Sequence, residues 1–163
     1  MFDKWLNFVQ KTFNAKPEAV PMPIAKPADK ITPHFTWKDA LWLPSDNRMA
    51  DISDGLDVTI MEQLKKTFQV MEKIRTVLGD RAITVHCALR PAAYNQKIGG
   101  AKNSAHLYGM AVDFHVSDLS CDEVRAKLLV VLDTYKLRME NLFGSTWVHI
   151  DTKPTTGPRF FKP

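Results

Sequence analysis

Histidine, carboxylate and arginine side chains recur in this chain at positions where apolar and polar residues alternate. Met110, Val112, Phe114 and Val116 alternate with Ala111, Asp113 and His115, and Val148 and Ile150 alternate with Trp147, His149 and Asp151. Successive strand residues point to opposite faces of a sheet. If the apolar set faces a core, then Asp113, His115, Trp147, His149 and Asp151 share the other face. The same parity puts Thr84, His86 and Arg90 opposite Ile83, Val85 and Cys87, and puts Arg138 and Glu140 opposite Leu137 and Met139. One face is therefore expected to be oily, while the other collects His, Asp, Glu and Arg from four strands.

Two imidazoles and one carboxylate suit Zn²⁺ and leave a fourth position for water. His106, in a loop, and Asp113, in the strand that follows, are able to reach a common ion, with Gly109 allowing a tight turn between them. His149 is the candidate third ligand. Spacing alone leaves the alternative open, because a histidine on a strand is more often hydrogen-bonded structure than ligand. His86 and His115 read as structural. A closed structural zinc site wants four protein ligands, often cysteines, and the chain has only Cys87 and Cys121. Both adjoin apolar segments and read as small buried hydrophobes.

Positioning these residues requires a sheet and something to back it. Ile60, Met61, Leu64, Phe68, Met71, Ile74, Val77 and Leu78 recur at three and four, predicting a long amphipathic helix over 58–78 that Gly79 ends. Its Met and Phe stripe is core packing. Thr36 is placed to cap a short helix through Trp37 and Leu41, and Ser120 one with Asp122 and Glu123 in its first turn. A further short helix is expected over 92–98, and strands over 83–88, 110–116, 136–140 and 146–151. The fold class is α+β: a small, mainly antiparallel sheet with helices on one face and the candidate zinc site on the other.

Phe2, Trp5, Leu6, Val9 and Phe13 predict a short amphipathic helix, and residues 16–30 hold four prolines and read as an extended linker. The expected division is therefore 1–30 as an N-terminal segment and 31–163 as the folded domain. A formal charge of +4 over 163 residues is only mildly basic. Basic residues are scattered and aromatics do not alternate with them, which argues against nucleic acid as a partner. No apolar run is long enough to span a bilayer, and residues 1–16 lack the pattern of a secretory signal. Oligomeric state is not legible.

The run LRPAAYNQKIGGAKNSAHLYGMAVDFHV resembles the core of the zinc D-alanyl-D-alanine carboxypeptidase family of murein peptidases. Ser104, His106, Gly109, Ala111 and Asp113 match the fixed positions of that family's S-x-H-x-x-G-x-A-x-D motif, and WVHID resembles its closing strand. The likeness covers roughly residues 34 to 151. It implies a fold shared with Hedgehog-type zinc domains, a Zn²⁺ cofactor on His106, Asp113 and His149, and hydrolysis of peptide bonds in peptidoglycan stems. It further implies that Arg90 binds a substrate carboxylate or carbonyl, and that Ser104 helps orient the ligand histidine or the substrate.

One feature departs from the family pattern. Many relatives carry a proton acceptor two or three residues before the last ligand, where this chain has Trp147 and Thr146. Glu140 and Asp151 are the carboxylates on the site face, and Glu140 is the preferred base. Either is alternatively a partner that orients a ligand histidine. The missing base motivates a second reading, a non-catalytic zinc-containing wall-binding module. A short chain without an export signal fits a phage or prophage lysis enzyme, cytoplasmic until released to the wall, or a phage particle component.

Overall fold

The computed structural model describes residues 26–162. The amphipathic helix expected over 2–13 and most of the proline-rich stretch lie outside the described residues. Residues 27–30 already bond to the domain: Trp37 N donates to Asp29 O at 2.9 Å and Lys38 N to Pro27 O at 3.2 Å.

Among the described residues, four α-helices form where the periodicity and caps direct. Helix α1 (Trp37–Leu41) starts at a capping box in which Thr36 and Asp39 satisfy each other's backbone N–H groups. A two-strand hairpin follows, β1 (Trp42–Leu43) and β2 (Arg48–Met49). Helix α2 (Val58–Val77) is capped by Asp57, which accepts from Ile60 N at 2.8 Å. Gly79 ends it at φ +79°, a left-handed conformation that favours glycine. Strand β3 (Ile83–Cys87), helix α3 (Ala92–Lys97) and strand β4 (Ala111–Val116) carry the central motif. Helix α4 (Cys121–Leu129) starts at the Ser120–Glu123 capping box. Strands β5 (Arg138–Glu140), β6 (Val148–Asp151) and β7 (Phe160–Phe161) complete the chain.

The main sheet runs β3-β4-β6-β5-β7, antiparallel except for the parallel pair β5·β7. Val112, Phe114, Val148, Ile150 and Met139 pack in one cluster with Leu64, Phe68, Met71 and Ile74 of α2 and Val124 and Leu128 of α4. Each such fully buried side chain contributes about 1.5–3 kcal/mol. The oily face is thus the one that the parity predicts, and it holds β4 and β6 rigidly against two helices. No described helix is long and apolar enough to cross a membrane.

Three details differ from the expectation. Strands β1, β2 and β7 were not foreseen. Strand β5 is shorter than expected because Lys136 turns at φ +54° just before it. The third concerns β3, whose register against β4 shifts between Val85 and Cys87. Cys87, not His86, is the partner of Asp113. The bulge breaks the alternation, so Cys87 does not keep to the oily face with Ile83 and Val85.

Candidate metal centre

Asp113 and His149 are cross-strand partners on β4 and β6, in the register Asp113↔His149. Opposed residues on one face approach closely, so the pair is fixed by the sheet itself. His106 arrives from a 3-10 turn, Ala105–Tyr108, that ends at Gly109 with φ +65°. A Cβ on Gly109 would stand 3.0 Å from Leu64 Cγ, so glycine serves both the turn and its close approach to α2. Thr67 of α2 donates to Gly109 O at 2.8 Å, tying the loop to the helix. Ser104 caps the turn, its Oγ accepting from His106 N at 3.4 Å.

The three side chains converge. Each offers one donor atom, and these atoms lie within 4.8 Å of one another, all in buried residues. Asp113 Oδ1 is 3.2 Å from His106 Nε2 and 2.7 Å from His149 Nδ1. His106 Nδ1 donates to Ala88 O at 2.7 Å, which leaves Nε2 as the inward atom. On His149 the roles are reversed: Nδ1 faces inward and Nε2 is 3.4 Å from Asp151 Oδ2. Two imidazole nitrogens and one carboxylate oxygen, with no fourth protein donor in the group among the described residues, fit an open borderline-ion site rather than a closed structural one.

Electrostatics support the same assignment of atoms. Burial opposes ionisation of Asp113, yet the hydrogen bonds from His106 and His149 hold its carboxyl far below the usual carboxylate range. Burial pushes His106 below the ordinary imidazole range. Burial also works against a charged His149, but Asp113 and Asp151 prevail and push it up to about 9. Without an ion, Asp113 and Asp151 thus favour the protonated form of His149.

Arg90 sits beside the centre. Its Nη2 donates to Asp113 Oδ2, the oxygen turned away from the histidines, and its Nε donates to Cys87 Sγ at 3.3 Å. Nη1 has no partner among the described residues. The cleft before this group has a volume of about 310 Å³ and is lined by Pro44, His86, Cys87, Arg90, Tyr94, Ile98, Asp113, Thr146 and Trp147. Tyr94 is anchored there, its hydroxyl accepting from Ser45 N at 3.1 Å. Trp147 remains 40% exposed and forms an open wall.

The two candidate carboxylates differ. Asp151 is 1% exposed, and both of its oxygens accept from Arg138 at 2.8 Å, with Lys153 N adding a third bond at 2.9 Å. Glu140 is half-buried, and among the described residues its carboxylate has no hydrogen bond or ion pair. It lies one residue beyond the Met139↔Ile150 pair and so abuts His149, whose upward shift its charge reinforces.

Some site residues escaped sequence reasoning. Cys87 was read as plain core, but it lines the cleft because of the bulge, with its thiol pushed up by burial despite Arg90. Arg125 is 1% exposed and holds Trp147 O at 2.6 Å and Ser145 Oγ, a role that its position in the helix does not signal. Tyr94 and Ile98 of the segment after Arg90 form the cleft wall, a placement that only the folded loop shows.

The family model described as Peptidase M15 matches residues 45–151, which contain all of these side chains except Pro44. The chain belongs to the peptidase M15 family. A curated relative, the zinc D-Ala-D-Ala carboxypeptidase of Streptomyces albus G, is 40% identical over 47 residues. That match spans 29% of this chain and 18% of the relative, so a part of the chain matches under a fifth of the relative's length. Within this M15 chain the His106–Asp113–His149 cluster is the candidate metal site.

Proposed function

We propose that this M15 peptidase is a zinc enzyme that hydrolyses peptide bonds in peptidoglycan stems or crosslinks, as a carboxypeptidase or endopeptidase. The observation that carries the reading is the convergence of His106 Nε2, Asp113 Oδ1 and His149 Nδ1, with Asp113 and Arg90 both lining the adjoining cleft. The relative's printed name, a zinc D-Ala-D-Ala carboxypeptidase, supports the substrate class.

Those three atoms would hold the ion. When bound, Zn²⁺ supplies Lewis acidity toward the scissile carbonyl and acidifies water toward a pKa of about 7. The chain's own residues supply the rest. Ala88 O fixes the His106 tautomer, and Asp151, held by Arg138, orients His149. Arg90, with Nη1 unspent, binds a substrate carboxylate, for which a planar guanidinium is suited. Ser104 acts on His106 through the turn it caps. Glu140, whose oxygens are unengaged, accepts the proton from the attacking water and returns it to the leaving amine. An unpaired carboxylate next to His149 favours hydrolysis over a module that only binds the wall. A bacterial wall reached through a separately made pore, or opened by a phage particle, remains the proposed setting.

Digestion of purified peptidoglycan by zinc-loaded protein, with mass analysis of the fragments, tests the reading. Release of D-alanine or of separated stems is the expected result. Intact stems across several wall chemistries, from a sample verified to hold zinc, would overturn it.

A further inference from the structure

Two imidazoles outside the centre face each other across the sheet. His115 Nδ1 on β4 lies 2.8 Å from His86 Nε2 on the β3 bulge, with ring centroids 4.8 Å apart and planes 34° from parallel. Neither ring has another hydrogen-bond partner among the described residues. The chain has five histidines. Two belong to the centre, and His34 Nδ1 is 2.8 Å from Glu72. The remaining two form this pair.

We propose that His86 and His115 form a second cation site, separate from the His106–Asp113–His149 centre, that chelates a tetragonal borderline ion such as Cu²⁺ or Ni²⁺ through His86 Nε2 and His115 Nδ1. Distance decides the geometry. Two nitrogens held at right angles about 2.0–2.1 Å from an ion stand about 2.9 Å apart, whereas a tetrahedral angle separates them by about 3.3 Å. The observed 2.8 Å, a hydrogen bond between the rings, matches the first spacing. An ion is taken up when the donor ring moves its proton to its other nitrogen and the rings turn until both lone pairs converge. The second spacing would also require the rings to part.

Access favours binding as well. His86 is exposed and His115 half-buried, so water is free to complete the coordination shell. Burial and the neighbouring His115 push His86 below the ordinary imidazole range despite Asp113, which keeps its lone pair available at neutral pH. The bulge creates the pairing. In the unbroken register Thr84↔His115 and Val85↔Phe114, His86 would oppose Asp113; the extra residue frees it to meet His115. His115 follows Asp113 by two residues, about 7 Å along the strand. An ion held there stands at the rim of the cleft that His86 lines. The site does not depend on the peptidase reading.

Untagged, zinc-loaded protein is dialysed against Cu²⁺ and both metals are counted by mass spectrometry. The native chain is expected to keep its zinc and gain one Cu²⁺, while His86→Gln and His115→Gln gain none. Paramagnetic resonance of the native protein, which requires no variant, should show copper coupled to two imidazole nitrogens. Copper that only replaces zinc, equal uptake by native and both variants, no uptake, or a signal without two coupled nitrogens would each overturn the proposal.

Discussion

Arg138 grips Asp151 through two parallel hydrogen bonds of 2.8 Å, and the gripped carboxylate stands 3.4 Å from His149 Nε2. The guanidinium balances the charge of a carboxylate that is otherwise sealed from water, and the carboxylate fixes which imidazole nitrogen points at the centre. Asp151→Asn preserves shape but removes that charge. It is expected to weaken zinc binding by about 10–100-fold, the usual cost of losing such an orienting partner. Competition with a chromophoric chelator measures it, and unchanged affinity would exclude Asp151 from this role.

Glu140→Gln is expected to behave in the opposite way. Its carboxylate bonds to nothing among the described residues, so zinc content and Tm should remain near native. Removing a proton acceptor at the reacting water should lower kcat by about 10²–10⁴-fold. Steady-state kinetics alongside metal analysis separate the two carboxylates. If Glu140→Gln loses zinc instead, it is a positioning residue and the base lies elsewhere.

The sequence made Asp113, His149 and Asp151 legible because β4 and β6 are regular where they pair, so parity holds from Ala111↔Asp151 to Phe114↔Val148. Parity failed at Cys87 because one inserted residue inverts everything after it, and alternation carries no mark of a bulge. Phe160–Phe161 was missed for a different reason: a two-residue strand in a tail rich in Pro, Thr and Gly has no period to read. His106 was found by motif, since its reach depends on a 3-10 turn packed on Leu64. Which ring nitrogens face inward depends on Ala88 O and Asp151, contacts made only after folding.

His149 makes the metal-free protein sensitive to pH. Its folded pKa is pushed up to about 9 from an ordinary 6.5. The protonated ring therefore adds stability that is complete below about pH 6.5 and lost as the pH rises through about 9. Tm of the chelator-treated protein should fall across that window. Zinc must displace the same proton, so affinity should rise with pH by up to about tenfold per unit until His149 has titrated. Calorimetry at neutral pH in buffers of different ionisation enthalpy should report about one proton released per ion. No release would mean that Nδ1 is not the donor.

Arg90→Lys tests the substrate anchor. Lysine retains the charge but lacks the fork that bonds Asp113 and Cys87 while leaving Nη1 unspent. A charged hydrogen bond of about 1.5–3 kcal/mol corresponds to a loss of roughly 10–150-fold in kcat/KM. That loss should appear for peptides with a free C-terminal carboxylate and be much smaller for their amides. Equal losses on both would confine Arg90 to holding Asp113.

Arg125 joins the backing helix to the cleft wall. Its Nη2 donates to Trp147 O at 2.6 Å and to Ser145 Oγ at 2.5 Å, while Nη1 meets Asp122 at 2.9 Å. The two Nη2 bonds fix the turn that feeds β6, and with it Trp147 and the entry to His149. Arg125→Met keeps most of the buried stem but removes the charged donor to Trp147 O and leaves that carbonyl only the hydroxyl of Ser145, at a cost of about 1.5–3 kcal/mol. Asp122 is 46% exposed, so Asp122→Asn should cost under about 1 kcal/mol. Chemical denaturation of both variants decides the matter. Similar losses would mean that the surface ion pair, and not the grip on Trp147, is what Arg125 contributes.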